Sequence, residues 1–144
     1  MNFLRHKEND MNDIQVKVLV VEDDIIISED IQRSLDTLGY EVIGAMTSGE
    51  EALNLIQKNP PDIVLMDIVL RGQLNGIDTA KMIYEQYHIP VVFLTAYSDS
   101  ITLERANQAH HYGYICKPFE REELKEIIRS ALDLFWEDQE KLES

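Results

Sequence analysis

Val16-Lys17-Val18-Leu19-Val20-Val21-Glu22-Asp23 is a short apolar run that stops on two acids. Three further runs end on reactive side chains in the same way. Asp62-Ile63-Val64-Leu65-Met66-Asp67 ends on a third acid, Pro90-Val91-Val92-Phe93-Leu94-Thr95 on a hydroxyl, and Tyr114-Ile115-Cys116-Lys117-Pro118 brings up an ammonium. Continuous apolar runs of this length, separated by helix-period segments, read as strands buried on both faces of a parallel sheet. The carboxyl ends of such strands open on one edge, which is where open α/β sheets bind ligands. Three acids, a hydroxyl and an ammonium on that edge can hold a divalent cation and a phosphoryl group. A hard cation takes carboxylate oxygens, while Thr and Lys bind phosphate oxygens.

Between the runs the spacing turns helical. Ile27, Ile31, Leu35 and Leu38 mark a first helix closed by Gly39, and a second strand follows over 40–45. Ser48 and Glu51 make a capping-box pattern ahead of Ala52, Leu55 and Ile56, and Asn59-Pro60-Pro61 stops that helix. A loop holding Gly72 and Gly76 leads to a third helix with Ile77, Ala80, Ile83 and Tyr87 inward. A more polar fourth helix is expected over 99–109, then a strand over 112–116, then a long fifth helix with Leu124, Ile127, Ile128, Ala131 and Phe135 inward. Five βα units with short loops demand parallel pairing and right-handed crossovers. The expected fold class is therefore α/β, a doubly wound five-stranded parallel sheet flanked by five helices, a flavodoxin-like (βα)5 unit. Residues 1–15 read as a flexible N-terminal segment, 16–136 as one domain, and 137–144 as a helical extension or the start of a linker.

Composition narrows the function. A chain of 144 residues, 44% hydrophobic, can bury its own core without staples. The lone Cys116 rules out an intrachain disulfide and reads as packing within a strand. No run approaches a membrane span, and the start is too polar for a secretory signal, so the default location is cytoplasmic. A formal charge of −14 opposes nonspecific contact with nucleic acid or an anionic membrane and favours protein partners.

The pieces VLVVED, LMD, LTA and GYICKPF, in this order and spacing, resemble the receiver domains of two-component response regulators over about 16–134. Jointly they are highly specific, although each is weak alone. The resemblance implies a Mg²⁺-dependent (or Mn²⁺-dependent) transfer of a phosphoryl group from a histidine kinase to one aspartate. Asp67 matches that phospho-acceptor, and a carboxylate at the tip of a central strand can attack phosphorus in line. Asp23 matches a direct metal ligand, Glu22 one acting through water or by placing its neighbour, and the backbone carbonyl of Val69 the third protein ligand. Asp24 reads instead as a helix cap. Thr95 matches the hydroxyl that bonds the transferred group, and Lys117 the ammonium that pairs with it, ahead of a Lys–Pro bond that is cis in the family. Tyr114 matches the aromatic that turns inward with Thr95 on phosphorylation. The face of the fourth and fifth helices is where the family changes partners or forms a homodimer.

Single residues also have plainer readings: Asp67 as a loop cap, Thr95 as a good strand former, Tyr114 as a core or interface side chain. The loop Ile68-Val69-Leu70-Arg71-Gly72-Gln73-Leu74-Asn75-Gly76 departs from the family in lacking Met-Pro and running one residue longer. Val69 and Tyr97 stand where the family tunes phosphoryl lifetime, and neither is an amide or a carboxylate, so slow hydrolysis is expected. Other classes fare worse. A flavin or nucleotide site of flavodoxin type needs a Gly, Ser and Thr cradle where Glu22-Asp23-Asp24 stands, and an aspartyl phosphatase usually wants a second acid at Val69. A degenerate receiver that binds partners without phosphorylation is the alternative within the family, against which the intact acidic set argues.

Overall fold

The structure is a computed structural model, and it describes residues 15–70, 72–96 and 112–143. Five strands, β1 (Lys17–Val21), β2 (Glu41–Met46), β3 (Ile63–Asp67), β4 (Val91–Thr95) and β5 (Tyr114–Cys116), form one parallel sheet in the order β2-β1-β3-β4-β5. Four helices accompany them among the described residues: α1 (Ile25–Leu38), α2 (Gly49–Lys58), α3 (Gly76–Tyr87) and α4 (Arg121–Glu143). The helix expected over 99–109 lies outside the described residues, as does Tyr97, so the last helix is labelled α4.

Every residue of β3 and β4 is buried, as continuous apolar runs between two helical layers require. Strand residues alternate between two cores. Val18, Val20, Leu65, Leu94 and Ile115 face Ile31 and Leu35 of α1 and Leu124, Ile128 and Trp136 of α4. Leu19, Val21, Val64, Met66 and Phe93 face Ala52 and Ile56 of α2 and Ala80 and Ile83 of α3. The helices thus cover both faces, as right-handed crossovers demand.

The helix ends follow the local chemistry. Asp24 caps α1, accepting from the N–H groups of Ile26 at 3.0 Å and Ile27 at 3.1 Å. Gly39 ends it in the left-handed region at φ 92°. The Tyr40 N–H bonds back to the Leu35 carbonyl, so β2 begins at Glu41, one residue later than expected. At α2, Ser48 accepts from Glu51 N at 3.2 Å, but Glu51 reaches past the cap to the N–H and hydroxyl of Thr47. Those bonds hold the exposed Glu51 carboxyl below its ordinary range. β5 also starts late, at Tyr114, because Gly113 breaks the extended backbone at φ 153°. The last helix runs through the whole of 137–143, with Trp136 buried near the start of that stretch.

Candidate functional site

The chain leaves β1 for β2 on one side of the sheet and β3 for β4 on the other, so the order reverses between β1 and β3. That reversal opens a crevice beyond the carboxyl ends of the two strands. Asp67 ends β3, and Glu22 and Asp23 directly follow β1. Carboxylate oxygens from these three residues lie within 4.8 Å of one another.

Glu22 is the most enclosed of the three, at 1% exposure. Its Oε2 accepts from the Asp24 N–H at 3.1 Å and its Oε1 from Lys117 Nζ at 2.6 Å. Asp67 accepts from the Val69 N–H at 3.1 Å through Oδ1 and from Lys117 Nζ at 3.2 Å through Oδ2. Lys117 therefore spans both acids from the far side of the sheet. Its own N–H is fixed to the Thr95 carbonyl at 2.7 Å, and its bond to Pro118 is cis.

The electrostatics follow from burial and crowding. Burial pushes the Glu22 carboxyl above its ordinary value, and neighbouring Asp67 adds to this, outweighing Lys117 and the Asp24 N–H. Burial alone would lower the Lys117 ammonium, but its bonds and charge contacts with Glu22 and Asp67 together hold it above its usual value. Three carboxylates and one ammonium leave excess negative charge in a site built of oxygen donors. Such a donor set suits a hard divalent cation, which would relieve the repulsion that Lys117 only partly offsets.

The remaining residues fall at different depths. Thr95 sits one strand away, 1% exposed, with its hydroxyl donating to the Ala96 carbonyl at 3.2 Å rather than to an acid. Val69 projects beside Asp67 at 51% exposure. Tyr114 stands on the edge strand at 45% exposure. Cys116 pairs in register with Thr95 and is partly buried.

Two features escaped the sequence reading. The first is the Glu22–Lys117 bond, which joins residues 95 apart in the chain and makes Glu22 the seat of the lysine. The second is Gly76, which is the first residue of α3. A Cβ there would collide with the Asp67 carbonyl oxygen and stand 2.9 Å from that of Ile68, so the helix approaches the loop after Asp67 as only glycine allows. Gly76→Ala is expected to lower stability by about 1–3 kcal/mol, the usual cost of overpacking. A urea midpoint equal to that of the unmodified chain would show that the loop yields instead.

The family model for the response regulator receiver domain matches residues 18–129. The transcriptional regulatory protein PdtaR of Mycobacterium tuberculosis is 36% identical over 121 residues, covering 84% of this chain and 58% of the relative. CseB of Streptomyces avermitilis, also a transcriptional regulatory protein, is 36% identical over 121 residues, covering 84% of this chain and 51% of its own. The chain thus spans about half the length of these curated relatives. Among solved structures, the signal receiver domain of a modulated diguanylate cyclase from Desulfovibrio desulfuricans superposes with a TM-score of 0.81 at 34% identity, covering 91% of this chain and all of that one. With its sheet order, its clustered acids and these matches in agreement, the chain belongs to the response regulator receiver domain family.

Proposed function

We propose that this chain is a phosphorylation-controlled signalling switch in which Asp67 accepts a phosphoryl group from a histidine kinase in a Mg²⁺-dependent (or Mn²⁺-dependent) reaction. The observation that carries the reading is the convergence of Glu22, Asp23, Asp67 and Lys117 at the switch point of the sheet. Asp23, Asp67 and the Val69 carbonyl would hold the cation, with Glu22 reaching it through water. When bound, the cation neutralises phosphoryl oxygens and lets an anionic acceptor approach an anionic donor.

The residues of the chain do the rest. A carboxylate oxygen of Asp67 attacks phosphorus as the bond from phosphorus to the kinase imidazole breaks and the imidazole leaves. Lys117 exchanges its longer bond, to Asp67, for a phosphoryl oxygen while staying seated on Glu22. Thr95 gives up the Ala96 carbonyl and bonds the new group, and Tyr114 turns inward to fill the space behind it. A local charge change is thereby read out as a repacked face, a familiar regulatory device. The chain turns over no metabolite and catalyses only its own phosphorylation and dephosphorylation. The face presented to a downstream partner, or to a second copy, would include β5 and the last helix. In longer relatives named as transcriptional regulators, contact with nucleic acid would fall to other parts of the protein, given the −14 charge here.

Incubation with acetyl phosphate and Mg²⁺, followed by intact mass, tests the proposal. A gain of one phosphoryl group that disappears with a chelator is expected. No gain, in a sample shown to bind Mg²⁺, would sink it. Half-exposed and apolar, Val69 offers no group to orient water beside Asp67. Val69→Asn combined with Tyr97→Glu is expected to speed loss of the phosphoryl group by about tenfold, less than a full general base supplies. An unchanged decay of the phosphorylated mass would remove these two positions from control of its lifetime.

A further inference from the structure

Tyr112 lies at the opposite edge of the sheet from the acids, just ahead of β5, with its N–H on the Val91 carbonyl at 3.0 Å. Its ring is 6% exposed and packs edge-on against Phe135 of α4 at 5.4 Å. Its hydroxyl donates to Asp138 Oδ2 at 2.9 Å. Asp138 falls in the last turns of a 23-residue helix, about 34 Å long by its rise, against about 17 Å for a five-residue strand. The end of α4 therefore outruns the sheet, and a charged stretch there would ordinarily fray. A side chain bonded across to the domain opposes that.

The same short segment carries the proposed switch. Tyr112 is buried and Tyr114 is exposed, although residues two apart on a regular strand share a face. Gly113 lies between them at φ 153°, and a Cβ there would come 2.9 Å from Ile127 Cδ1 of α4. The irregular backbone turns one tyrosine toward the helix and the other toward solvent. Ile127 packs closely over Gly113, so a backbone shift carried from Tyr114 through Gly113 would press on α4.

We propose that the bond between the Tyr112 hydroxyl and Asp138 is a latch that holds the last turns of α4 on the domain and ties them to β5, so that repacking of Tyr114 is passed to the C-terminal end of that helix. The latch stands on geometry alone, while the coupling rests on the functional reading given above. Burial, with help from Asp138 and Tyr84, pushes the Tyr112 phenol far above its ordinary value, so it stays a donor across the physiological range.

Hydrogen exchange by mass spectrometry on the full chain tests both parts. Tyr112→Phe keeps the ring and removes the hydroxyl, which also bonds Tyr84, whereas Asp138→Ala removes the acceptor and leaves that second contact in place. Either is expected to speed amide exchange over 137–143 by roughly tenfold, as loss of one hydrogen bond should, while Asp138→Asn, which keeps an acceptor oxygen, retains most of the protection. Unchanged exchange over 137–143 in both Tyr112→Phe and Asp138→Ala would overturn the latch. Mg²⁺ with beryllofluoride, a stand-in for the phosphoryl group, is expected to change exchange at 67–70 and at 137–143 in the unmodified chain, and only at 67–70 in Tyr112→Phe. A response at 67–70 with none at 137–143 in the unmodified chain would overturn the coupling alone. No response at either place would overturn the functional reading, and the coupling with it.

Discussion

Asp67→Asn is expected to abolish phosphoryl uptake from acetyl phosphate completely, with no gain in intact mass at any time of incubation. The amide keeps the shape of the carboxylate, and its oxygen can still accept from the Val69 N–H, which Asp67 does at 3.1 Å. It lacks the anionic oxygen proposed to attack phosphorus, so the expected loss is one of chemistry rather than of fold. The same change removes one of three carboxylates held within 4.8 Å of one another. Relief of that repulsion should raise the thermal midpoint of the metal-free protein, and Mg²⁺ should then add less stability than it adds to the unmodified chain. Loss of phosphorylation together with a lower metal-free midpoint would instead mean that Asp67→Asn damages the fold. Phosphoryl uptake that persists in Asp67→Asn would place the acceptor on another residue.

Lys117→Met is expected to give the largest loss of stability from a single change at the site. The ammonium is the positive partner bonded to both Glu22 and Asp67, and Glu22 is almost fully enclosed. Removing one member of a fully buried pair costs about 3–5 kcal/mol, because the other charge stays behind without compensation. Here the Lys117 side chain is 20% exposed and Glu22 can take up a proton, so about 2–3 kcal/mol is the fitting figure at neutral pH. The pH dependence has a definite direction. Glu22 has a raised folded pKa, so its protonation favours the folded state. That contribution is full below the unfolded carboxyl pKa and is lost as pH rises through the folded one. Without Lys117 the folded value climbs further, so Lys117→Met should regain stability on acidification over a wider range than the unmodified chain does. Lys117 itself has a raised pKa, so its contribution in the unmodified chain is full below the ordinary lysine value and fades as pH rises through the folded one. Mg²⁺ should restore part of the deficit at neutral pH by replacing the missing positive charge. Urea unfolding at two pH values, with and without Mg²⁺, measures all of this, and equal metal-free midpoints for the two proteins at neutral pH would refute it.

The site was legible because each of its parts ends a run whose burial is written in its residues. Val18 to Val21, Ile63 to Met66 and Val91 to Leu94 are apolar without interruption, and the first side chain past or at the end of each must face the sheet edge. Helix ends with local chemistry were legible too, as the Asp24 cap and the Gly39 close illustrate. Contacts across the sheet were not. The Glu22–Lys117 bond joins β1 to the turn after β5, and no local pattern reports a pairing over that separation. The starts of β2 and β5 slipped for a related reason, since the Leu35 carbonyl claims the Tyr40 N–H and Gly113 interrupts the extended backbone. Asp138 read as part of a charged tail because its composition is solvent-like, and its bond to Tyr112, distant in sequence, is invisible to any local pattern.

The two cores also differ in what they are made of. Trp136, the one tryptophan in the chain, lies in the layer between the sheet and the α1–α4 pair, at 7% exposure, whereas the α2–α3 layer is almost wholly aliphatic apart from Phe93 and Tyr87. The protein therefore carries an unlabelled optical probe confined to one side. Loosening of the last helix would move the indole toward water and shift its emission to the red, while rearrangements under α2 and α3 would leave the spectrum nearly dark to them. Intrinsic fluorescence would watch the α1–α4 side of the molecule selectively, in real time and without modification of the chain.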